Sequence, residues 1–185
     1  VSFNGGGGNV TAGKYNDGDP KNRAVLRDRI HAGMAAAWKA TERHPVTTFS
    51  WRVVPTLFRP HREGQFGEAG SRKGLEDPKA TAARRNNSAF QLAWLARVER
   101  PVEITCLDIG EAQVLHLPGE PFVEYQLFAQ EQRPDRDVCV AGYGDDGPGY
   151  IPTARAYLEG GYEPTMALAG PGSESILRQA ILRLL

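Results

Sequence analysis

Glu120 stands in the run LHLPGEPF, where an apolar strand-like segment gives way to a helix-like one. A carboxylate there is favoured in its charged form by the positive end of the helix, which suits a helix cap and equally a metal ligand. Further on, GPGYIPTARAYLEGGYEP carries Tyr150, Tyr157 and Tyr162 on and around a short helical pattern. Tyrosines gathered at the end of a strand either stack in a core or line a pocket and offer phenol groups to a substrate oxygen.

A third candidate is the glycine run GGGGNVTAGKY, Gly5 to Tyr15. Gly8 to Lys14 fits the G-x-x-x-x-G-K spacing of a phosphate-binding loop, in which backbone N–H groups approach phosphates and the lysine reaches the terminal ones. The next position needs a Ser or Thr hydroxyl to hold Mg²⁺, and it is Tyr15. The loop also runs into a turn, Asn16-Asp17-Gly18-Asp19-Pro20, rather than a helix, which places acids beside any bound phosphate. Nucleotide binding is therefore the weaker reading of this loop.

The elements that must position these residues follow from periodicity. Asp19-Pro20 is a helix start, and Leu26, Ile30, Met34, Ala37 and Trp38 recur at steps of three and four, the stripe of a helix lying on a core to about Arg43. VTTFSWRVVPTLF reads as a strand with Pro55 near a sheet edge. The polar stretch from His61 to Asn87 reads as loop and short exposed helix, and SAFQLAWLARVER returns to helical spacing through Phe90, Ala93, Trp94 and Val98. VEITCLDIG and AQVLHLPG are strands around a tight turn at Gly110-Glu111. A helix from Pro121 to about Gln132 and a buried strand, DVCVAGYG, come next. After the irregular loop GDDGPGY a short helix runs near Ala154 to Leu158, and Ser173 caps a last helix with Ile176, Leu177, Ala180, Ile181 and Leu184 on one face. This order predicts an α/β fold with a mixed sheet flanked by helices.

Composition narrows the partners. Twenty-two basic residues balance twenty-two acidic ones without a long run of either sign, so no nucleic-acid stripe or membrane-surface patch is expected. No apolar stretch approaches the roughly 20 residues of a membrane span, so no transmembrane segment is expected. Cys106 and Cys139 each sit in an apolar run, outside any CxxC spacing, and read as buried thiols. With 185 residues, 41% of them hydrophobic, residues 1–185 are expected to form a single domain. The chain opens in strand-like residues without an initiator Met and closes inside a helical pattern, which suggests a piece of something longer.

The segment around Glu120 and the run Tyr150-Ile151-Pro152-Thr153, Tyr157, Tyr162-Glu163 together resemble the neutral/alkaline ceramidase family of zinc-dependent amidohydrolases. That family has a Gly-Glu segment, a strand, and then the pattern x-Tyr-Ile-x-Thr-x-x-x-Tyr-x-x-x-x-Tyr-Glu, with which all three tyrosines here are in register. The resemblance implies that Glu120 and Tyr150 are zinc ligands and that Tyr162 lies beside the scissile amide as a catalytic candidate, either substrate-facing or oxyanion-stabilising, while Tyr157 is left to packing. It also gives the glycine run a new meaning. The family's Gly-Asp-Val-Ser-Pro loop, whose Ser lines the active site, matches Gly8-Asn9-Val10-Thr11-Ala12, with Asn9, Thr11 and Ala12 departing from the pattern. Gly8 and Asn9 are then substrate-binding residues and Thr11 a second catalytic candidate, with a bare tight turn as the alternative.

The family's two remaining zinc ligands are histidines in motifs resembling Thr-His-Thr-His-Ser and Ala-Thr-His-Pro, both upstream of the glycine loop. His31, His44, His61 and His116 match neither motif. The implied identity is the later portion of a larger α/β catalytic domain, whose upstream part is a partner supplying the two histidines to zinc. The implied activity is hydrolysis of a small-molecule or lipid-like N-acyl amide by metal-activated water, and the family suggests a secreted or periplasmic location. The alternative is a non-catalytic binding or scaffold module that keeps the fold, to which the departures at Asn9, Thr11 and Ala12 point.

Overall fold

The structure, a computed structural model, describes residues 3–144 and 147–185. The expected strand start at Val1-Ser2 and the loop residues Asp145-Asp146 lie outside them. In chain order the elements are α1 (Asn22–Lys39), β1 (Phe49–Thr56), α2 (Glu68–Glu76), α3 (Ala82–Arg97), β2 (Val102–Ile109), β3 (Ala112–Pro118), β4 (Glu120–Pro121), α4 (Val123–Gln132), β5 (Asp137–Gly144), β6 (Tyr150–Ile151), α5 (Ala154–Glu159), α6 (Tyr162–Met166) and α7 (Ser173–Leu184).

Four strands make one mixed sheet in the order β1-β2-β3-β5. β1, β2 and β3 are antiparallel neighbours, and Gly110 closes the β2–β3 hairpin with φ of +58°. β5 pairs with β3 in parallel, and α4 makes the crossover that parallel pairing requires. Pro55 lies on an edge strand, where its missing N–H costs the sheet no ladder bond.

One face of this sheet presents Ile104, Cys106, Leu115, Leu117, Val138 and Val140 to Tyr125 and Ala129 of α4 and to Leu177, Ala180, Ile181 and Leu184 of α7. This is the core, and Trp94 of α3 joins it. The alternate residues of β1 point the other way: Phe49 is 71% exposed and Trp51 53% exposed. The mixed α/β sheet with flanking helices thus matches the expectation from sequence, with helices packed on one face.

Four local readings are corrected. The helix expected to lie on a core forms as α1, but none of its residues is buried and Trp38 is 79% exposed. The periodic stripe is real, yet nothing packs on it here. In α3, which starts as early as Ala82, the buried residues are Ser88, Gln91 and Trp94; of the expected apolar face Trp94 and Val98 pack on the core, whereas Phe90 and Ala93 turn out to solvent. Cys106 is buried as expected, whereas Cys139 is exposed, since in β5 the inward positions are Val138 and Val140. Ser173 does not cap α7; it is the first helical residue, with Gly172 before it, and its hydroxyl donates to the Arg59 carbonyl at 3.1 Å.

Candidate functional site

After β3 the chain leaves the sheet through Gly119, whose φ of +58° and tight approach to Gly149 demand glycine: a Cβ there would lie 2.4 Å from the Gly149 carbonyl oxygen. The two residues that follow, Glu120 and Pro121, pair in parallel with Tyr150 and Ile151, with Glu120 opposite Tyr150. The Glu120 N–H donates to the Gly149 carbonyl at 2.8 Å, and the Tyr143 N–H donates to the Gly119 carbonyl at 2.7 Å. Two residues 30 positions apart in sequence are in this way clamped side by side by backbone bonds. The Tyr150 phenol is held above its ordinary pKa, first by partial burial and then by the Glu120 carboxylate, to which it is hydrogen-bonded.

Tyr162 opens α6 after Gly160 and Gly161, both at positive φ. Its ring meets that of Tyr150 edge to face at 6.0 Å between centroids, and it is 62% exposed. Glu120, Tyr150 and Tyr162 all line one cavity of about 740 Å³. Phe66, Phe90, Met166 and Leu168 supply its apolar walls, and Arg84, Asn87 and Gln91 of α3 its polar ones. Size and lining suit a small ligand with an apolar part and a few polar groups.

Tyr157 turns inward: its hydroxyl donates to the Ala169 carbonyl, its ring stands edge-on to His61, and burial pushes its pKa up. Sequence reasoning missed Tyr125, which is fully buried and donates to the Pro152 carbonyl at 3.0 Å. That bond ties α4 to the strand segment carrying Tyr150, and its only sequence signal is a tyrosine on the inward face of a helix.

The glycine run lies behind β4. A Cβ on Gly8 would be 2.4 Å from the Glu120 carbonyl oxygen, and one on Gly6 2.9 Å from the Phe122 carbonyl oxygen, so the run is glycine because backbone packs on backbone. Three of its amides are committed to protein acceptors: Gly6 N–H to Gln126 Oε1, Gly8 N–H to the Pro121 carbonyl, Val10 N–H to the Gly7 carbonyl. A phosphate cradle needs its amides free and its loop running into a helix, and here Gly8 and Val10 are bonded and α1 begins only at Asn22, which argues against the nucleotide reading. Asn9 accepts from the Val123 N–H at 2.9 Å and donates to Glu124 at 2.9 Å, which caps α4 from outside. Thr11 is exposed, makes no capping bond and is not on the wall of the larger cavity. Of the six residues singled out in sequence, the structure brings Glu120, Tyr150 and Tyr162 together, sets Gly8 against the Glu120 backbone, places Asn9 on a separate, smaller pocket of about 290 Å³ with Glu124 and Thr153, and leaves Thr11 on neither wall.

Glu120 and Tyr150 offer two oxygen donors side by side, which fits part of a zinc site; catalytic zinc takes three protein ligands and keeps one position open. Among the described residues no group of three or more His, Cys, Asp and Glu is gathered to hold a metal ion. His31 and His44 are exposed, His61 stacks on Phe66 at 4.1 Å, and His116 lies against Trp51 at 5.2 Å.

No protein-family model matches the chain, and no curated protein matches it. Among solved structures it is similar to a neutral ceramidase from Pseudomonas aeruginosa, at 23% identity and a TM-score of 0.41, over 46% of this chain and 15% of that one. A ceramidase complexed with C2 matches at 23% identity and a TM-score of 0.41, over 46% of this chain and 14% of that one. The chain spans about a seventh of the length of the ceramidases it matches.

Proposed function

We propose that this chain is the later portion of a zinc-dependent amidohydrolase of the neutral ceramidase kind, hydrolysing an N-acyl, lipid-like amide. The observation that carries the reading is the pairing of Glu120 with Tyr150 on the wall of a cavity that also holds Tyr162. In this reading Glu120 and Tyr150 are two of the zinc ligands, and two histidines from sequence upstream complete the set. A zinc ion so held would supply an activated water and polarise the amide carbonyl. The chain's own residues do the rest. Tyr162 donates its phenol proton as a hydrogen bond to the amide oxygen while negative charge develops there. The Phe66, Phe90, Met166 and Leu168 side of the cavity takes the acyl chain and excludes water from it. Gly8 keeps the backbone of Glu120 from shifting, and Thr11 offers a hydroxyl at the outer margin of the loop.

The zinc content of the natural protein that contains this chain tests the proposal, measured after dialysis with and without Glu120→Ala. Zinc near one per molecule, falling at least tenfold in the variant, is expected, together with amide hydrolysis lost in Tyr162→Phe by roughly a hundredfold. Zinc absent from both proteins overturns it. A non-catalytic binding module is the second reading, favoured by the fact that the described residues gather only two of the donors a zinc site needs. Binding of an N-acyl amide by the metal-free protein without turnover is the result that would establish it.

A further inference from the structure

The cavity that holds Glu120, Tyr150 and Tyr162 has a second polar wall, made by α3. Arg84, Asn87, Ser88 and Gln91 all line it, at the spacing of one helix face. A helix face turned towards its own domain is normally apolar, and burying a polar one costs free energy unless its groups find partners. Gln91 has found them. It is 2% exposed, and its amide donates to the His61 carbonyl at 2.9 Å and to the Phe66 carbonyl at 2.7 Å. Those two bonds hold the turn 61–66 against α3 and fix Gln65 and Phe66 on the cavity wall.

Arg84 is the residue of this face that the fold itself does not use. Its side chain lies against α2 at Gly74, where a Cβ would be 3.6 Å from Arg84 Nε and 2.4 Å from Ser88 Oγ, so a glycine there lets the two helices close and leaves the arginine its path. Arg84 Nη1 then donates to Gln65 Oε1 at 3.4 Å, a long bond to a neighbour on the same wall. Arg72, Arg155 and Arg178 are each paired with a glutamate four residues away, whereas no carboxylate among the described residues pairs with Arg84. A guanidinium is a planar fork of donors that matches a carboxylate or a phosphate. Gln65 takes one N–H of this fork and holds it at the exposed rim of the cavity.

Arg84 and Glu120 carry the only formal charges among the described residues of the wall, one on α3 and the other on β4. A ligand matched to that wall sets an anion against α3 and a neutral group towards Glu120, where a second negative charge would be repelled.

We propose that the ligand of this cavity is an amphipathic anion, an N-acyl amide that also carries a carboxylate or phosphate group, and that Arg84, held by Gln65 and flanked by Asn87, selects it. The amide in this statement rests on the amidohydrolase reading above; the anion does not.

Calorimetric titration of the natural protein that contains this chain tests the anion separately from the chemistry, with ligands that have no bond to hydrolyse. The probe is the ketone analogue of N-octanoylglycine, in which a methylene replaces the amide nitrogen. Its primary carboxamide, of nearly the same shape and without charge, is the comparison. The carboxylate is expected to bind at least about tenfold more tightly, and Arg84→Gln should remove that preference while leaving the affinity of the carboxamide within about twofold. The preference should shrink as salt is raised, and Arg84→Lys, which keeps the charge and loses the fork, should retain part of it. A phosphonate in place of the carboxylate ranks the two anions, and tighter binding of either names the head group. Equal affinities for the carboxylate and the carboxamide, a preference that survives Arg84→Gln, or no binding of either compound overturns the proposal. A charge preference in a protein without zinc would uphold the anion site and overturn the amidohydrolase reading; zinc-dependent hydrolysis without a charge preference would do the reverse.

Discussion

His116 shows how a single residue reads its surroundings. It projects from β3 onto the open sheet face beside Trp51, its Nδ1 is buried without a partner among the described residues, and burial lowers its proton affinity despite a bond with the Thr105 backbone. A histidine held below its ordinary value of 6.5 in the folded state is protonated more readily after unfolding. Its contribution to stability is therefore present above that value and is lost as pH falls below it. Urea midpoints between about pH 8 and pH 5 should drop more steeply for the unaltered chain than for His116→Gln, and parallel curves would contradict this. Tyr150 has its proton affinity raised by burial and by Glu120, and Tyr157 by burial alone. Three tyrosines that look equivalent in sequence thus take separate roles: Tyr150 beside a carboxylate, Tyr162 on the cavity wall, Tyr157 in a buried bond.

At the scale of elements, α4 depends on a residue more than a hundred positions away. Its N-terminal residue before the helix is Phe122, which has no side chain able to cap, and the acceptor is supplied by Asn9 from the glycine run. Asn9→Ala should cost about 1 kcal/mol, the usual value of a cap, read as a lower urea midpoint. An unchanged midpoint would show that water replaces the cap at no cost. The helix α4 was legible from its apolar positions, but its start was read two residues early: Pro121, expected as the first helical residue, lies in β4, and the helix begins at Val123. Its cap was not legible, because a long-range side-chain bond leaves no spacing in the sequence. The hairpin of β2 and β3 was legible in full, turn included, since alternation and a glycine at the turn are local signals.

The whole molecule is a sheet with one face under α4 and α7, and α7 holds that arrangement from the far end of the chain. Leu177 is fully buried between α7 and the sheet, and Leu177→Ala should cost roughly 2 to 5 kcal/mol, enough to remove a large share of a domain's stability. Thermal unfolding followed by both far-ultraviolet and tryptophan signals should move together in this variant; separated transitions would mean that the sheet and α7 unfold as independent units.

Sequence by itself determined the strands of the main sheet, most of the helices, the α/β class, and the small set of residues with chemistry to offer, because periodicity, glycine, proline and donor type are all properties of neighbours along the chain; it did not show the short strands β4 and β6 or the helix α6. It marked the stripe of α1 but not whether anything lies on it, since amphipathicity says only that a surface is apolar. Only the tertiary structure decided that Glu120 sits opposite Tyr150 while Thr11 stays outside, that Cys139 faces solvent, and that the glycine run serves backbone packing. Each of these depends on backbone bonds and close approaches between segments far apart in the chain, where the identity of a residue carries no record of its partner.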